Sequence, residues 1–267
     1  MNLGKTRLII IGGAEDKKNN KVILKEISDT VLRKKGNLVI APTASQIPDE
    51  IENIYLNVFK ELGIEKIKVL SIKNRSDAYK EENIDMIKNA DLVFFTGGDQ
   101  LRITSILGGT PIYKELNERF ANGCIFAGTS AGASVMSEVM ISHGDGKNAP
   151  TKKGIGLSPG LGFIENCIID QHFEERGRIG RLMTSIAQNP QKLGIGIDED
   201  TAIIVNDQNK FRVIGSGAVY VLDGANCTEN KISFQSIEEV IAIFGVQLHL
   251  LNNKCIFDIT NRKPELA

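Results

Sequence analysis

Short apolar runs recur along the first half of the chain, each separated from the next by a segment of helical periodicity. Leu8-Ile-Ile-Ile11 is β-branched and closed by Gly12-Gly13. Its length and composition predict a strand buried on both faces. Between Lys21 and Lys34 the apolar positions Val22, Ile23, Ile27, Val31 and Leu32 fall at near-helical spacing, and Gly36 stops that helix. Further strands are predicted over 38–41 (closed by Pro42), 67–70, 91–95 and 124–127. Helices are predicted over 48–62, with acidic residues in its first turns, and over 81–89, 101–107 and 113–122. Strands alternating with helices predict an α/β fold, a mostly parallel sheet with helices on both faces. Ligands meet such sheets beyond the carboxyl ends of the strands. Gly12-Gly13, Pro42-Thr43, Gly97-Gly98 and Ser130 all follow such ends, so they are expected to share one rim.

The pattern changes in the second half. A strand over 167–169 runs into Asp170-Gln171-His172-Phe173 and a charged stretch ending at Arg181. A helix over 182–188 and the Gly-rich strand Leu193-Gly-Ile-Gly-Ile197 precede Asp198-Glu199-Asp200. Beyond Thr201 the alternation predicts paired strands over 202–205, 211–214 and 218–222, an antiparallel extension of the sheet. A terminal hairpin is expected from 246–251 and 255–259, joined by Asn252-Asn253-Lys254. With no internal repeat or linker, residues 1–267 are read as one domain.

Composition narrows the partners. Hydrophobic residues make up 42% and charged residues 24% of the 267, an ordinary globular balance. A formal net charge of −1 supplies no global field for nucleic acid or acidic lipid. The run at Leu8 is too short for a signal-peptide core or a membrane span. Cys124, Cys167, Cys227 and Cys255 lack Cys-x-x-Cys spacing and read as reduced thiols, not as zinc ligands or disulfides, which places the protein in the cytoplasm. Gly12-Gly-Ala-Glu-Asp16 has neither dinucleotide nor Walker spacing. Neither cofactor nor metal is expected.

The chemistry concentrates at Gly128-Thr-Ser-Ala-Gly132. Gly-x-Ser-x-Gly between a strand and a helix start is the pattern of a nucleophile elbow. On its own it also fits a serine N-cap in a Gly-rich loop. A serine nucleophile needs a base. Of the three histidines, His249 sits within the last predicted hairpin and His143 in a loop. His172, just beyond a buried strand and amid polar residues, is favoured. An orienting carboxylate is available in Asp198, Glu199 or Asp200, among which the pattern does not choose. The N–H of Ala131 is the usual first oxyanion donor, and the Gly97-Gly98 turn is placed to bring the Gly98 N–H as a second.

Four fragments in order resemble the cyanophycinases: Phe94-Phe-Thr-Gly-Gly-Asp-Gln100, Gly128-Thr-Ser-Ala-Gly-Ala133, Asp170-Gln-His-Phe173 with Arg176, Arg178 and Arg181, and Gly196-Ile-Asp-Glu-Asp-Thr-Ala202. Gly12-Gly-Ala-Glu-Asp16 and Gly215-Ser-Gly-Ala-Val-Tyr220 extend the resemblance over most of the chain. It implies a serine-type exopeptidase of the aspartyl dipeptidase superfamily, with a class I glutamine amidotransferase-like (flavodoxin-like) fold and a tendency to form homodimers. It implies Ser130 as nucleophile, His172 as base and Glu199 as orienting acid. Gln100, Asp170, Gln171, Arg176 and Arg181 match substrate-contacting positions, with Arg178 among them. The implied substrate is cyanophycin, a poly-aspartate bearing arginine on each side chain, and the implied product is β-aspartyl-arginine. A dipeptidase acting on small aspartyl peptides and a non-catalytic binding protein are the alternatives.

Overall fold

The computed structural model describes residues 4–144, 146 and 149–266. Strand β1 (Thr6–Ile11) is followed by helix α1 (Val22–Arg33), β2 (Leu38–Ala41), α2 (Pro48–Glu61), β3 (Ile67–Val69) and α3 (Glu81–Lys88). Next come β4 (Leu92–Phe95), α4 (Gln100–Leu107), α5 (Pro111–Ala121) and β5 (Ile125–Thr129). After Ser130 a short helix α6 (Ala131–Ser134) leads to a hairpin of β6 (Val139–Gly144) and β7 (Ile155–Pro159). Then follow β8 (Cys167–Gln171), α7 (Ile179–Gln188), β9 (Leu193–Ile197), β10 (Thr201–Asn206), β11 (Lys210–Gly215) and β12 (Val219–Asp223). Two short strands, β13 (Glu229–Asn230) and β14 (Ile243–Phe244), precede β15 (Gln247–Leu251), β16 (Cys255–Asp258) and β17 (Lys263–Leu266).

Nine strands form the main sheet, in the order β17-β16-β11-β10-β1-β5-β4-β2-β3. The run from β1 to β3 is parallel, and β10, β11, β16 and β17 continue it antiparallel. Successive residues of a strand face opposite sides, and the β-branched runs are buried on both. Ile9, Ile11, Leu38, Ile40, Leu92 and Phe94 share one core with α1 and α2. Leu8, Ile10, Val39, Val93 and Phe95 share another with α3, α4 and α5. A fully buried Ile or Leu side chain contributes about 1.5–3 kcal/mol, so these two-sided strands are the rigid frame that carries the rim.

A second sheet, β15-β12-β9-β8, lies against the α3–α5 side. Ile169, Ile195, Ile197, Val219 and Val221 enter the same core as Leu8 and Ile10. Its other face, with Ile168 and Leu222, is covered by Leu182 and Ile186 of α7. The strands that lead to His172 and Glu199 therefore belong to this sheet, while Ser130 follows the main one.

Two expected pairings are corrected. Strand 218–222 does not continue the antiparallel extension after 211–214; β12 pairs with β9 and β15. The chain crosses between sheets at Gly215-Ser-Gly217, where Gly215 has φ 105° and a Cβ would lie 2.1 Å from the Asp200 carbonyl oxygen. The terminal hairpin also fails. Strand β15 pairs with β12, while β16 pairs with β11 and β17 in the main sheet. The Asn252 turn, closed by the Cys255 N–H on the Asn252 carbonyl at 2.9 Å, is a second crossing between sheets.

Candidate active site

Strand β5 ends at the elbow. Ser130 has φ 53° and ψ −113°, a left-handed backbone that costs a non-glycine residue about 1–3 kcal/mol unless the surroundings hold it. The flanking glycines are required by space. A Cβ on Gly128 would lie 2.3 Å from the Gly132 carbonyl oxygen, and one on Gly132 would lie 2.2 Å from that of Phe95. The Ser130 carbonyl accepts from the Ala133 and Ser134 N–H groups at 3.0 and 3.1 Å. No side-chain cap bond ties the Ser130 hydroxyl to α6, so it is not spent as an N-cap.

That hydroxyl instead donates to His172 Nε2 at 2.9 Å. On the other side of the ring, Nδ1–H donates to Glu199 Oε1 at 2.5 Å. A proton held at Nδ1 leaves Nε2 free to accept from the serine. A hydroxyl, an imidazole and a carboxylate in one hydrogen-bonded line can deprotonate the serine as it attacks and stabilise the resulting imidazolium. Burial moves the His172 pKa below its ordinary value, the cationic Arg176 and Arg178 add to that, and Glu199 opposes it. The neutral imidazole, the form able to take a proton, is thereby favoured. His143 is exposed and bonded to Ser142, and His249 stacks edge-on against Phe257. Of the carboxylate trio, Asp198 accepts the Glu174 and Ala218 N–H groups, and Asp200 accepts from Asp16 N–H and the Ser216 hydroxyl. Only Glu199 meets the histidine.

The loop after β1 ties these pieces together. The Ile11 carbonyl accepts the Ser130 N–H at 3.1 Å, that of Gly12 the His172 N–H at 2.7 Å, and that of Gly13 the Asp200 N–H at 2.9 Å. Gly13, at φ 105°, lies under the imidazole, where a Cβ would stand 2.3 Å from its Cε1. The Gly97-Gly98 turn also borders the serine, since a Cβ on Gly97 would lie 3.3 Å from the Ser130 Cβ.

Of the remaining site positions Arg176 is exposed and Gln100 half-buried, whereas Gln171, Asp170, Arg178 and Arg181 are buried. Gln171 Oε1 lies 3.5 Å from the Ser130 hydroxyl. Gln100 donates its amide to the carbonyls of Ile141 and Ser142, at 3.1 and 2.9 Å, and Arg176 is exposed. Asp170, Arg178 and Arg181 are placed differently from the expected direct contact with substrate. Asp170 is fully buried; it accepts from Arg181 Nε at 2.6 Å, also from Arg181 Nη2, and from Arg178 Nη1 at 3.3 Å. Arg178 and Arg181 are 8% and 6% exposed and spend further donors on the carbonyls of Gln171 and Gly144. Burial lowers the Arg178 pKa to about 10, which leaves it charged at neutral pH. Two arginines inside the protein thus already occupy the Asp170 carboxylate.

One participant went unread in the sequence. Glu15, 3% exposed, accepts the Thr129 hydroxyl at 2.6 Å and the Tyr55 hydroxyl at 2.5 Å, and pairs with Lys17 at 2.9 Å. Its only sequence signal was its place in Gly12-Gly-Ala-Glu-Asp16. Among the described residues no group of three or more His, Cys, Asp or Glu side chains is arranged to hold a metal ion.

Comparison with known proteins gives the family of the chain. The model of peptidase family S51 matches residues 8–213. The chain belongs to that family and is a serine-type peptidase. A cyanophycinase of Trichormus variabilis is 36% identical over 249 residues, 93% of this chain and 84% of the relative. One of Geminocystis herdmanii is 34% identical over 260 residues, 97% and 94% of the two chains. A crystal structure of a peptidase from an acI-B1 actinobacterium superposes with a TM-score of 0.67, covering 84% of this chain and 93% of that one at 24% identity, a likeness of fold.

Proposed function

We propose that the protein hydrolyses cyanophycin to β-aspartyl-arginine through an acyl-enzyme on Ser130. The observation that carries the proposal is the hydrogen-bonded line from Ser130 through His172 to Glu199. Ser130 attacks an aspartyl peptide carbonyl while His172 takes its proton. The N–H groups of Ala131 and Gly98 receive the negative charge that develops on the carbonyl oxygen. His172 then protonates the leaving amine, and water releases the product. Glu199 holds the ring and supports its charged form.

Arginines and carboxylates both stand near the site, and each cyanophycin unit carries one free carboxylate and one guanidinium. Arg178 and Arg181 pair with buried Asp170, and exposed Arg176 adds a guanidinium near His172. Each cyanophycin unit offers the arginine carboxylate, which guanidinium forks recognise well. Gln171, though buried, lies beside the Ser130 hydroxyl, and Gln100 keeps its side-chain oxygen available while its amide N–H groups hold the carbonyls of Ile141 and Ser142. In this reading Arg178, Arg181 and Asp170 act from below, while Gln100, Gln171 and Arg176 meet the substrate.

We also read the chain as one catalytic unit of the class I glutamine amidotransferase-like, flavodoxin-like class. The parallel strands run in the order β3-β2-β4-β5-β1, and the chain leaves β2 outward to β3 before crossing back to β4, a switch in the connections that supports that class. Work in the cytoplasm as a homodimer belongs to the same proposal, and a sizing run tests the assembly.

Two outcomes follow. Purified protein is expected to hydrolyse cyanophycin faster than free aspartyl dipeptides, with both rates measured under one condition. A preference for the free dipeptides would overturn the polymer as substrate. The acid limb of kcat/KM is expected below pH 6.5, the ordinary histidine value, because burial lowers the His172 pKa and keeps the base neutral to lower pH. An acid limb above pH 6.5 would contradict the lowering of the His172 pKa by burial.

A further inference from the structure

Gly12-Gly-Ala-Glu-Asp16 has no part in the chemistry above, yet residues 11–16 bond Ser130, His172 and the neighbour of Glu199. Three successive carbonyls, of Ile11, Gly12 and Gly13, accept the N–H groups of Ser130, His172 and Asp200. These N–H groups come from segments that follow three different strands, β5, β8 and β9, and Asp200 adjoins Glu199. The Asp16 N–H adds a bond to Asp200 Oδ1 at 2.9 Å. One turn thus fixes the backbone of two members of the Ser–His–Glu line and of the neighbour of the third. The absence of side chains at Gly12 and Gly13 permits this. A Cβ on Gly12 would stand 2.0 Å from the Asp198 carbonyl oxygen, and one on Gly13 would enter the His172 ring.

Glu15 stands where this turn meets the elbow. Its carboxylate bridges Thr129, the residue before the strained Ser130, to Tyr55 on α2. Tyr55 is itself packed against Phe94 of β4 with ring centroids 4.7 Å apart. The Glu15 side chain is 1% exposed. Burying a carboxylate there costs more than burying an apolar side chain of similar volume, so folding stability alone gives little reason for it. It does supply two acceptor oxygens with fixed directions, one receiving Thr129 and the other Tyr55 and Lys17.

We infer that residues 11–16 are the positioning element of the reaction, and that the buried carboxylate of Glu15 locks this turn to the elbow and so sets the attack geometry of Ser130. The inference rests on Ser130 being the nucleophile. Glu15 and Thr129 act through the serine backbone and do not touch the substrate. Losing either side of their bond therefore lowers the reactivity of Ser130 and leaves substrate affinity largely in place.

The test uses the full chain with Thr129→Val and Glu15→Gln, each checked for folding by circular dichroism. Two readouts are taken: the rate at which a fluorophosphonate labels Ser130, and kcat and KM on cyanophycin. Labelling rate and kcat are expected to fall about tenfold or more in both variants, with KM changed less than about twofold. Thr129→Ser, which keeps the hydroxyl, is expected to recover most of the loss. Should Glu15→Gln fail to fold, Thr129→Val against Thr129→Ser decides the matter. Labelling and kcat at the wild-type rate in Thr129→Val would overturn the inference. Wild-type protein in which Ser130 does not label would instead remove Ser130 as the nucleophile, and the inference with it.

Discussion

Ser130→Ala is expected to lower kcat/KM on cyanophycin by about 10,000-fold or more, and His172→Ala by a similar factor. The double variant should lose little beyond either single change. In the proposed mechanism hydroxyl and imidazole form one device: the base has nothing to activate without the serine, and the serine remains a weak nucleophile without the base. The 2.9 Å bond between them and the 2.5 Å bond onward to Glu199 give the device its line. Neither side chain bears much of the fold, since the Ser130 and His172 backbones are held by the carbonyls of Ile11 and Gly12. Both variants should therefore stay folded. Losses that multiply in the double variant would indicate independent roles and contradict the shared one.

Asp170→Ala is expected to destabilise the protein by about 3–5 kcal/mol, read from the denaturant midpoint at constant slope. The carboxylate is fully buried and faces the guanidiniums of Arg178 and Arg181, themselves nearly enclosed. Its removal leaves two cations with no compensating charge in a region that water hardly enters. The Gln171 N–H, which donates to Asp170 Oδ1 at 2.8 Å, loses its acceptor as well. A change below about 1 kcal/mol would mean that water or a rearranged side chain replaces the carboxylate, as at an exposed ion pair. Activity should fall too, because Gln171 adjoins the Ser130 hydroxyl.

The parallel half of the fold was legible because its strands are buried on both faces and its helices on one. Leu8-Ile-Ile-Ile11 allows little else, and the helices over 22–33 and 48–61 appear within one residue of their expected ends. The antiparallel half was legible as strands but not as sheets. Gln247-Leu-His-Leu-Leu251 alternates in the same way whether it pairs with β16 or with β12, and most of it is exposed. Which strand it joins is decided by the crossings at Gly215 and Asn252, whose geometry depends on Asp200 and on the second sheet.

The site shows a similar division. The Gly-x-Ser-x-Gly pattern fitted either a nucleophile elbow or a serine N-cap. The structure separates them by the unspent Ser130 hydroxyl and by glycines at 128 and 132 that leave no room for a Cβ. His172 could be chosen from three histidines by its position after a buried strand. Glu199 could not be chosen from its neighbours by pattern, because all three are carboxylates in one turn. What separates them is direction: Asp198 turns to the backbone of Glu174 and Ala218, Asp200 to Asp16 and Ser216, and Glu199 to the imidazole. The pairing of Asp170 with Arg178 and Arg181 is not legible from the sequence for a related reason. Charges at those spacings suit a solvated turn, a ligand pocket or an internal network equally, and burial alone distinguishes them.

The most direct measurement sets wild-type protein and Ser130→Ala side by side on insoluble cyanophycin and quantifies the β-aspartyl-arginine released into the supernatant. Dipeptide is expected from the wild-type protein and not from the variant. Equal release from both would contradict Ser130 as the nucleophile, and no release from the wild-type protein would contradict cyanophycin as its substrate.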